Sequence, residues 1–334
     1  MGLVSGFGRP FDRGAMAPMG VSAFKGILDP NELSLGMNAA WINTWSGAWV
    51  FSNLMYHAER PDQTVGNSPF THNHGLLSAT NPTDKFRIKL ADNETTLPAG
   101  VYTVVNPDGL KVALGGWNPP SAGSWSTAKE FTVNVQAIVS TAFCLHIEGS
   151  LTANLGNLAV ILPGQLAEWK KGNIWNSQFL DFYRAMDVRV IRTMDWTWAS
   201  ENIESEWHHR TPANAVSLES VPYEFMCDLA KRLTAEIWVC VPHRASLDYR
   251  EKMAKLFADK YPKTKSLWLE YGNEIWNGAN PWGEGTNWVT YLDFTKYMAT
   301  ADPANQKFIL PNHGLVNGQM IYSFATLENR ATCA

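Results

Sequence analysis

Polar and aromatic side chains follow each of four short apolar runs in the second half of the sequence. The pairs that close these runs are Asp195-Trp196, His243-Arg244, Asn273-Glu274 and Asn312-His313. In a barrel of parallel strands the carboxyl ends of the strands meet at one face, and barrel enzymes carry their chemistry there. The recurrence of carboxylates, imidazoles and amides at these points therefore predicts a site for acid–base chemistry or polar binding.

The elements that must position these pairs alternate between helix and strand after Pro163. Apolar residues at helical spacing predict helices around Leu180, Leu229 and Leu256, and each helix leads into an apolar run. Such runs predict a parallel sheet, and a spacing of about 30 residues suits a (β/α) barrel. No glycine-rich phosphate-binding motif follows a strand, so nucleotide binding lacks support. The predicted strands are Leu33–Asn38, Val188–Arg192, Ile237–Val241, Leu267–Tyr271 and Phe308–Leu310.

Residues 83–165 have a different pattern. Short segments of alternating polarity, such as Phe86–Leu90 and Val101–Val105, are separated by the turn signals PAG, NPDG and GGWNPP. This pattern predicts an antiparallel β-sandwich or jelly roll. The predicted fold class is α/β plus all-β, with the sandwich inserted after the first strand of a partial (β/α)8-type barrel. The predicted parts are an irregular leader (1–32), the first barrel strand with an aromatic-rich cover (33–82), the β-sandwich (83–165) and the barrel portion (166–334).

The composition favours a carbohydrate ligand and excludes several other partners. The chain has 15 tryptophans, whose rings stack on the C–H faces of sugars, although each one is also suited to filling a core or anchoring a loop. A net charge of −4 without a basic run argues against nucleic acid. No apolar run reaches the roughly 18 residues of a membrane-spanning helix. Scattered cysteines and isolated histidine pairs predict no metal site and no cofactor.

The run WLEYGNEIWN, residues 268–277, resembles the fourth barrel strand of the glycoside hydrolase superfamily called clan A. The chain is also similar, over roughly residues 33–315, to uncharacterised bacterial proteins that join a β-sandwich to such a barrel. Their pattern is matched by Trp207…Arg210, Val221–Glu224, Val241–His243 and Glu270–Asn277. The resemblance implies that Glu274 is the general acid/base and that Asn273 bonds a sugar 2-hydroxyl. It also implies a cleft lined by His243, Arg192, Trp196, Trp207 and Trp276.

This interpretation requires residues 268–277 to form a buried strand whose end opens into an aromatic groove. A carboxyl there is partly desolvated, which suits Glu274 as an acid, although a carboxylate paired with an arginine is the alternative. A retaining glycosidase needs a second carboxyl about 5–5.5 Å away. The acids after Glu284 are Asp293, Asp302 and Glu328, and none closes an apolar run. At about 30 residues per βα unit, we expect the barrel to stop after about its fifth strand.

Two functions remain open at this point, so whether the chain is an enzyme is undecided. The first is a glycan-binding or structural subunit on a degenerate barrel, for instance in a virion tail fibre or spike, which contacts other subunits through residues 1–32. The second is an active glycoside hydrolase that cleaves a polysaccharide with Glu274 as general acid/base. The leader has no apolar core of a secretory signal, so both a virion and the cytoplasm are compatible locations. The leader and the short barrel favour the first function.

Overall fold

The computed structural model describes residues 35–59, 61–66, 71–73, 76–78, 83–92, 97–136, 142–149, 157–199, 204–215, 217–277, 300–302 and 307–309. The predicted leader lies outside these residues, so its role in assembly stays a prediction. The chain divides into two compact units, Met1–Asn273 and Glu274–Ala334. None of the described helices has the length and apolar character needed to cross a membrane.

The first unit contains thirteen strands, four α-helices and four short 3-10 helices in its described part. The strands are β1 (Leu35–Asn38), β2 (Asp62–Val65), β3 (Thr71–Asn73), β4 (Leu76–Ser78), β5 (Lys85–Ala91), β6 (Gly100–Val105), β7 (Lys111–Gly115), β8 (Glu130–Val135), β9 (Phe143–Glu148), β10 (Ala159–Ile161), β11 (Val188–Arg192), β12 (Glu236–Val241) and β13 (Leu267–Tyr271). The α-helices are α1 (Leu166–Lys170), α2 (Ser177–Ala185), α3 (Tyr223–Arg232) and α4 (Leu247–Lys260).

A four-stranded parallel sheet with the order β1-β11-β12-β13 carries the predicted strand ends. Helix α3 lies in the connection from β11 to β12, and α4 lies in the connection from β12 to β13. The strand order follows the chain order without a reversal. Strands β11 and β13 have the predicted bounds, whereas β12 begins one residue earlier than predicted. The protein is therefore mixed α/β, as the sequence indicates.

Helices α2 and α4 begin where an apolar stripe follows a polar residue that caps the first turn. Asn176 caps α2 by accepting from the Gln178 amide, and Ser246 caps α4 by accepting from the Tyr249 amide at 3.2 Å. The buried stripe of α3 includes Met226 and Leu229. These side chains share one core with alternate residues of the parallel sheet, so one sheet face is covered by helices. The opposite face carries the candidate site.

Between β1 and β11 the described residues form the two-stranded antiparallel sheet β3-β4 and two larger antiparallel sheets. The strand orders of the two larger sheets are β2-β5-β9-β7 and β10-β6-β8, and alternate residues of both share one apolar core. This arrangement fits the antiparallel pattern expected for residues 83–165. Strand β2 lies in the predicted aromatic-rich cover (33–82), yet it pairs with β5, so the antiparallel sheet includes a strand before residue 83. The pairing is long-range, which a local pattern does not reveal.

The predicted strand Phe308–Leu310 overlaps a strand of the second unit, and its place as a fifth parallel strand of the barrel stays a prediction. In the second unit, β14 (Thr300–Asp302) and β15 (Lys307–Ile309) form an antiparallel pair. Only the four residues PANQ separate the two strands in the sequence. A parallel neighbour requires a crossover of about a dozen residues or more, whereas a short turn-forming link gives a hairpin.

The prediction of a buried strand over residues 268–277 also needs correction. Strand β13 ends at Tyr271, and Glu274 lies in the bend and turn that follow. Trp268 is 49% exposed and Leu269 is 60% exposed. These side chains are exposed because β13 is an edge strand of the described four-stranded sheet.

Candidate functional site

The face of the parallel sheet opposite the helices contains a shallow groove. Successive side chains on a strand point to opposite faces of the sheet. Trp238 therefore lies on the face opposite to that of its buried neighbours Ile237 and Val239. The groove has a volume of about 410 Å³, and its lining includes Asn38, Arg192, Trp238 and Trp268. This volume lies within the range of about 300–1,000 Å³ that is typical of small-molecule sites.

One cross-strand row forms the floor of the groove. Arg192, Trp238 and Trp268 are register partners on the adjacent strands β11, β12 and β13. The Trp238 and Trp268 ring centres are 6.4 Å apart with an interplanar angle of 30°. The guanidinium carbon of Arg192 is 5.1 Å from the Trp238 ring centre, within the range of a cation–π contact. The row thus presents two indoles beside one positive charge.

An ion pair joins the row to the carboxyl end of β13. Arg192 donates from Nη2 to Glu270 Oε1 and Oε2 at 2.9 and 2.7 Å, and from Nε to Oε2 at 3.1 Å. Arg192 Nη2 also donates to Asn273 Oδ1 at 2.8 Å, and the Cys240 thiol donates to Glu270 Oε2 at 3.3 Å. Both charged side chains are mostly buried. Such two-pronged, charge-assisted contacts fix the orientation of both groups.

Two further ionisable groups lie on the loops that follow β11 and β12. Burial raises the pKa of the Asp195 carboxyl, and the positive charge of Arg192 opposes part of that rise. Burial lowers the pKa of His243, and the charge of Arg244 lowers it further. His243 is also fixed by β13, because the Tyr271 hydroxyl donates to its backbone oxygen at 2.6 Å. The loop after β12 is therefore tied to the edge strand.

Glu274 opens the second unit in an uncommon backbone conformation. Its φ of 48° lies in the left-handed region, where a residue other than glycine is strained. The Asn277 amide donates to the Glu274 backbone oxygen at 2.7 Å, and Asn277 Nδ2 donates to Oε2 at 3.0 Å. Trp276, between them, is largely exposed. The turn therefore holds the Glu274 carboxylate through one side-chain hydrogen bond.

Two of the predicted cleft tryptophans instead contribute to packing. Trp196 is 1% exposed, it stacks on Trp175 with ring centres 6.0 Å apart, and its Nε1 donates to the Ala40 backbone oxygen at 2.9 Å. Trp207 is partly buried, its ring centre lies 6.2 Å from that of Tyr223, and the guanidinium of Arg210 lies 4.2 Å from it. Neither Trp196 nor Trp207 is among the residues that line the groove.

The structure therefore brings Arg192 and Asn273 together and adds three residues that the sequence reasoning missed. These residues are Trp238, Trp268 and Glu270. A signal for them exists, because Trp268 and Glu270 are two residues apart on β13 and must share a face. Arg192 and Glu270 are also opposite charges within otherwise apolar strands, and such groups are rarely buried unless they are paired.

Comparison with known proteins gives no match to any family model or to any curated protein. The resemblance to clan A glycoside hydrolases therefore stays a prediction. In the part of the chain that the structure describes, no group of three or more His, Cys, Asp or Glu side chains is placed to hold a metal ion.

Proposed function

We propose that this protein binds a glycan in the groove of its parallel sheet, and that this sheet is a partial (β/α) barrel that stays open on its inner face, because a closed barrel fills that face with side chains. The barrel proposal is supported by four parallel strands in chain order, with helices in the last two connections. A doubly wound sheet reverses its strand order at a switch point, and these four strands contain no reversal. The carboxyl ends of the strands are where such barrels bind ligands.

The observation that carries the glycan proposal is the row of Trp238 and Trp268 beside the Arg192–Glu270 pair. Indole faces stack on the C–H faces of sugar rings, while hydroxyl groups need fixed polar partners. The Asn38 side chain and the ordered Arg192–Glu270–Asn273 cluster provide such partners at the strand ends. A groove that combines flat apolar rings with oriented polar groups suits an uncharged, hydroxyl-rich ligand.

The carboxylate in this cluster, Glu270, supports binding better than it supports hydrolysis. Both oxygens of Glu270 already accept hydrogen bonds from Arg192, and Cys240 donates to one of them. Charge-assisted hydrogen bonds from a guanidinium draw electron density from a carboxylate and make it a weaker nucleophile. Glu270 therefore acts as an orienting group for Arg192 in this proposal.

A glycoside hydrolase with Glu274 as general acid/base is the second candidate. The left-handed backbone of Glu274 favours it, because strained non-glycine residues concentrate at functional sites.

A structural role in a virion tail fibre or spike is compatible with glycan binding. The exposed Leu269 on edge strand β13 supports it, since this side chain points away from the groove and is suited to an apolar contact with another chain.

Affinity gel electrophoresis of the whole chain through a panel of soluble polysaccharides tests the binding proposal. We expect at least one polysaccharide to retard the chain, and Trp268→Ala to weaken that retardation by about tenfold in affinity, as the loss of one stacked ring predicts. Trp45→Ala is the matched control, because Trp45 is 59% exposed and is not among the groove residues. Equal retardation of the two variants, or no retardation by any polysaccharide, would contradict the proposal.

Release of reducing sugar from the same panel tests the hydrolase candidate. We expect Glu274→Gln to abolish any hydrolysis, because the amide retains the shape of the side chain and cannot transfer a proton. Glu251→Gln on the exposed side of α4 is the control and should retain full activity. Hydrolysis that survives in Glu274→Gln at the rate of the control excludes this role for Glu274.

A further inference from the structure

Two exposed tryptophans meet beyond the carboxyl ends of β1 and β11. Trp41 follows the last residue of β1 by three positions, and Trp198 follows the last residue of β11 by six. Their ring centres are 5.1 Å apart and their planes are at 88°, so the edge of one ring meets the face of the other. Trp41 is 37% exposed and Trp198 is 41% exposed. Large rings that stay exposed together indicate a binding surface more often than single exposed rings do.

Hydrogen bonds hold the two loops that carry this pair. The buried Trp196 donates from Nε1 to the Ala40 backbone oxygen at 2.9 Å, which joins the loop after β11 to the segment after β1. The Trp196 backbone oxygen accepts from the Val221 amide at 2.8 Å, which anchors the same loop from its other side. These hydrogen bonds of Trp196 therefore fix the loop that carries Trp198. A pre-organised aromatic pair loses little conformational freedom when a ligand binds.

The backbone at Trp198 is strained. Its φ and ψ are 51° and 39°, the left-handed conformation that large side chains rarely adopt. Strain of this kind persists where the surrounding structure enforces it, and it concentrates at ligand sites. Packing of a buried side chain does not explain the strained backbone at Trp198, because the Trp198 ring is exposed.

The charges at this edge favour an uncharged ligand. The guanidinium of Arg192, the last residue of β11, is already neutralised by Glu270. The Asp195 carboxyl lies three residues before Trp198 and interacts electrostatically with Arg192. A phosphate-bearing ligand requires unpaired positive charge, which Arg192 does not supply here, whereas a sugar ring requires a flat apolar face.

We propose that Trp41 and Trp198 form an accessory subsite that stacks one neutral sugar ring of an oligosaccharide whose other rings occupy the groove. This inference rests on the proposed glycan binding. The continuity of the two sites supports it, because Asn38 and Arg192 line the groove and end the strands that lead to the tryptophan pair. The ligand is then a chain of several sugars, and affinity increases with the number of rings until the subsite is filled.

Fluorine NMR of the whole chain labelled with 5-fluorotryptophan tests this subsite. The resonances of Trp41, Trp198, Trp238 and Trp268 are assigned by substituting each one in turn. The probes are neutral oligosaccharides of two to six rings, made from the retained polysaccharide, or from cellulose and mannan if none is retained. We expect short probes to shift the two groove resonances and longer probes to shift the accessory pair as well.

Each outcome decides between the two proposals. Shifts at Trp238 and Trp268 with all probes, but never at Trp41 or Trp198, overturn the accessory subsite and leave the proposed function intact. Shifts confined to the accessory pair overturn the groove as the glycan site, and they also overturn the idea of one chain spanning both. No shift with any probe overturns both proposals.

Titration calorimetry with the variant Trp198→Gly adds a measurement of affinity. Glycine adopts the left-handed conformation without strain, so this variant removes the ring and keeps the loop geometry. We expect about tenfold weaker binding of the six-ring probe and unchanged binding of the two-ring probe. Trp45→Ala should change neither affinity. An equal loss for both probe lengths would show that the ring acts on the whole site and would overturn the accessory role.

Discussion

Acidification should destabilise this protein through one buried histidine, His57. Its side chain is 2% exposed, and burial lowers the pKa of the imidazole from 6.5 to about 3. Nε2 accepts a hydrogen bond from the Phe51 amide at 3.3 Å, so the neutral ring carries its proton on Nδ1. The rings of Trp49 and Phe51 lie 5.4 and 5.7 Å from it. A charged imidazolium at this position would be cut off from water. Its protonated Nε2 could also no longer accept the hydrogen bond from the Phe51 amide.

The sign and size of the effect follow from proton linkage. The unfolded chain binds a proton at His57 near pH 6.5, whereas the folded chain does not bind it until about pH 3. The free energy of unfolding therefore falls as the pH drops below 6.5, and the loss is complete below about pH 3. Between pH 7 and pH 5 this one group accounts for about 2 kcal/mol, and over the whole window for about 5 kcal/mol.

Urea unfolding at pH 7, 6 and 5, followed by tryptophan fluorescence, measures this loss in the wild-type chain and in His57→Phe. Phenylalanine fills a similar volume and does not titrate, so the variant should lose about 2 kcal/mol less than wild type between pH 7 and pH 5. Burial also lowers the pKa of His146 and of His243, and the comparison between the two chains cancels their shared contributions. Equal losses in both chains would refute the assignment to His57.

Two further predictions concern the groove and the antiparallel core. Arg192→Ala should lower the free energy of unfolding by about 2–3 kcal/mol, because it leaves the mostly buried Glu270 carboxylate without its partner, whereas the double variant Arg192→Ala/Glu270→Gln should recover part of that loss in urea unfolding. Leu145→Ala on β9 should cost about 2–5 kcal/mol because the side chain is fully buried, while Val101→Ala on the exposed side of β6 should stay within about 0.5 kcal/mol. Equal effects of Leu145→Ala and Val101→Ala in thermal unfolding would contradict the described burial.

The sequence alone predicted the local elements of the second half of the chain. The bounds of β11 and β13 and the apolar stripes of α2, α3 and α4 are visible in it, because hydrophobic periodicity reports which side of a helix or strand is buried. The placement of polar residues after the strands is equally local and includes Asn273, whereas Arg192 was expected in the site only because of the resemblance to the clan A family. These features depend on neighbouring residues, so one sequence suffices to predict them.

Only the tertiary structure decided which of these residues meet. Arg192 pairs with Glu270, 78 residues away, because a long side chain at the end of β11 reaches diagonally across β12 to β13. Trp196 and Trp198 are two positions apart in one loop, yet one is buried and the other is exposed. No periodic pattern operates in an irregular loop, so the direction of each ring depends on the partners that surround it. The same limit applies to β15, whose antiparallel partner is set by a pairing between strands and by the short link before it.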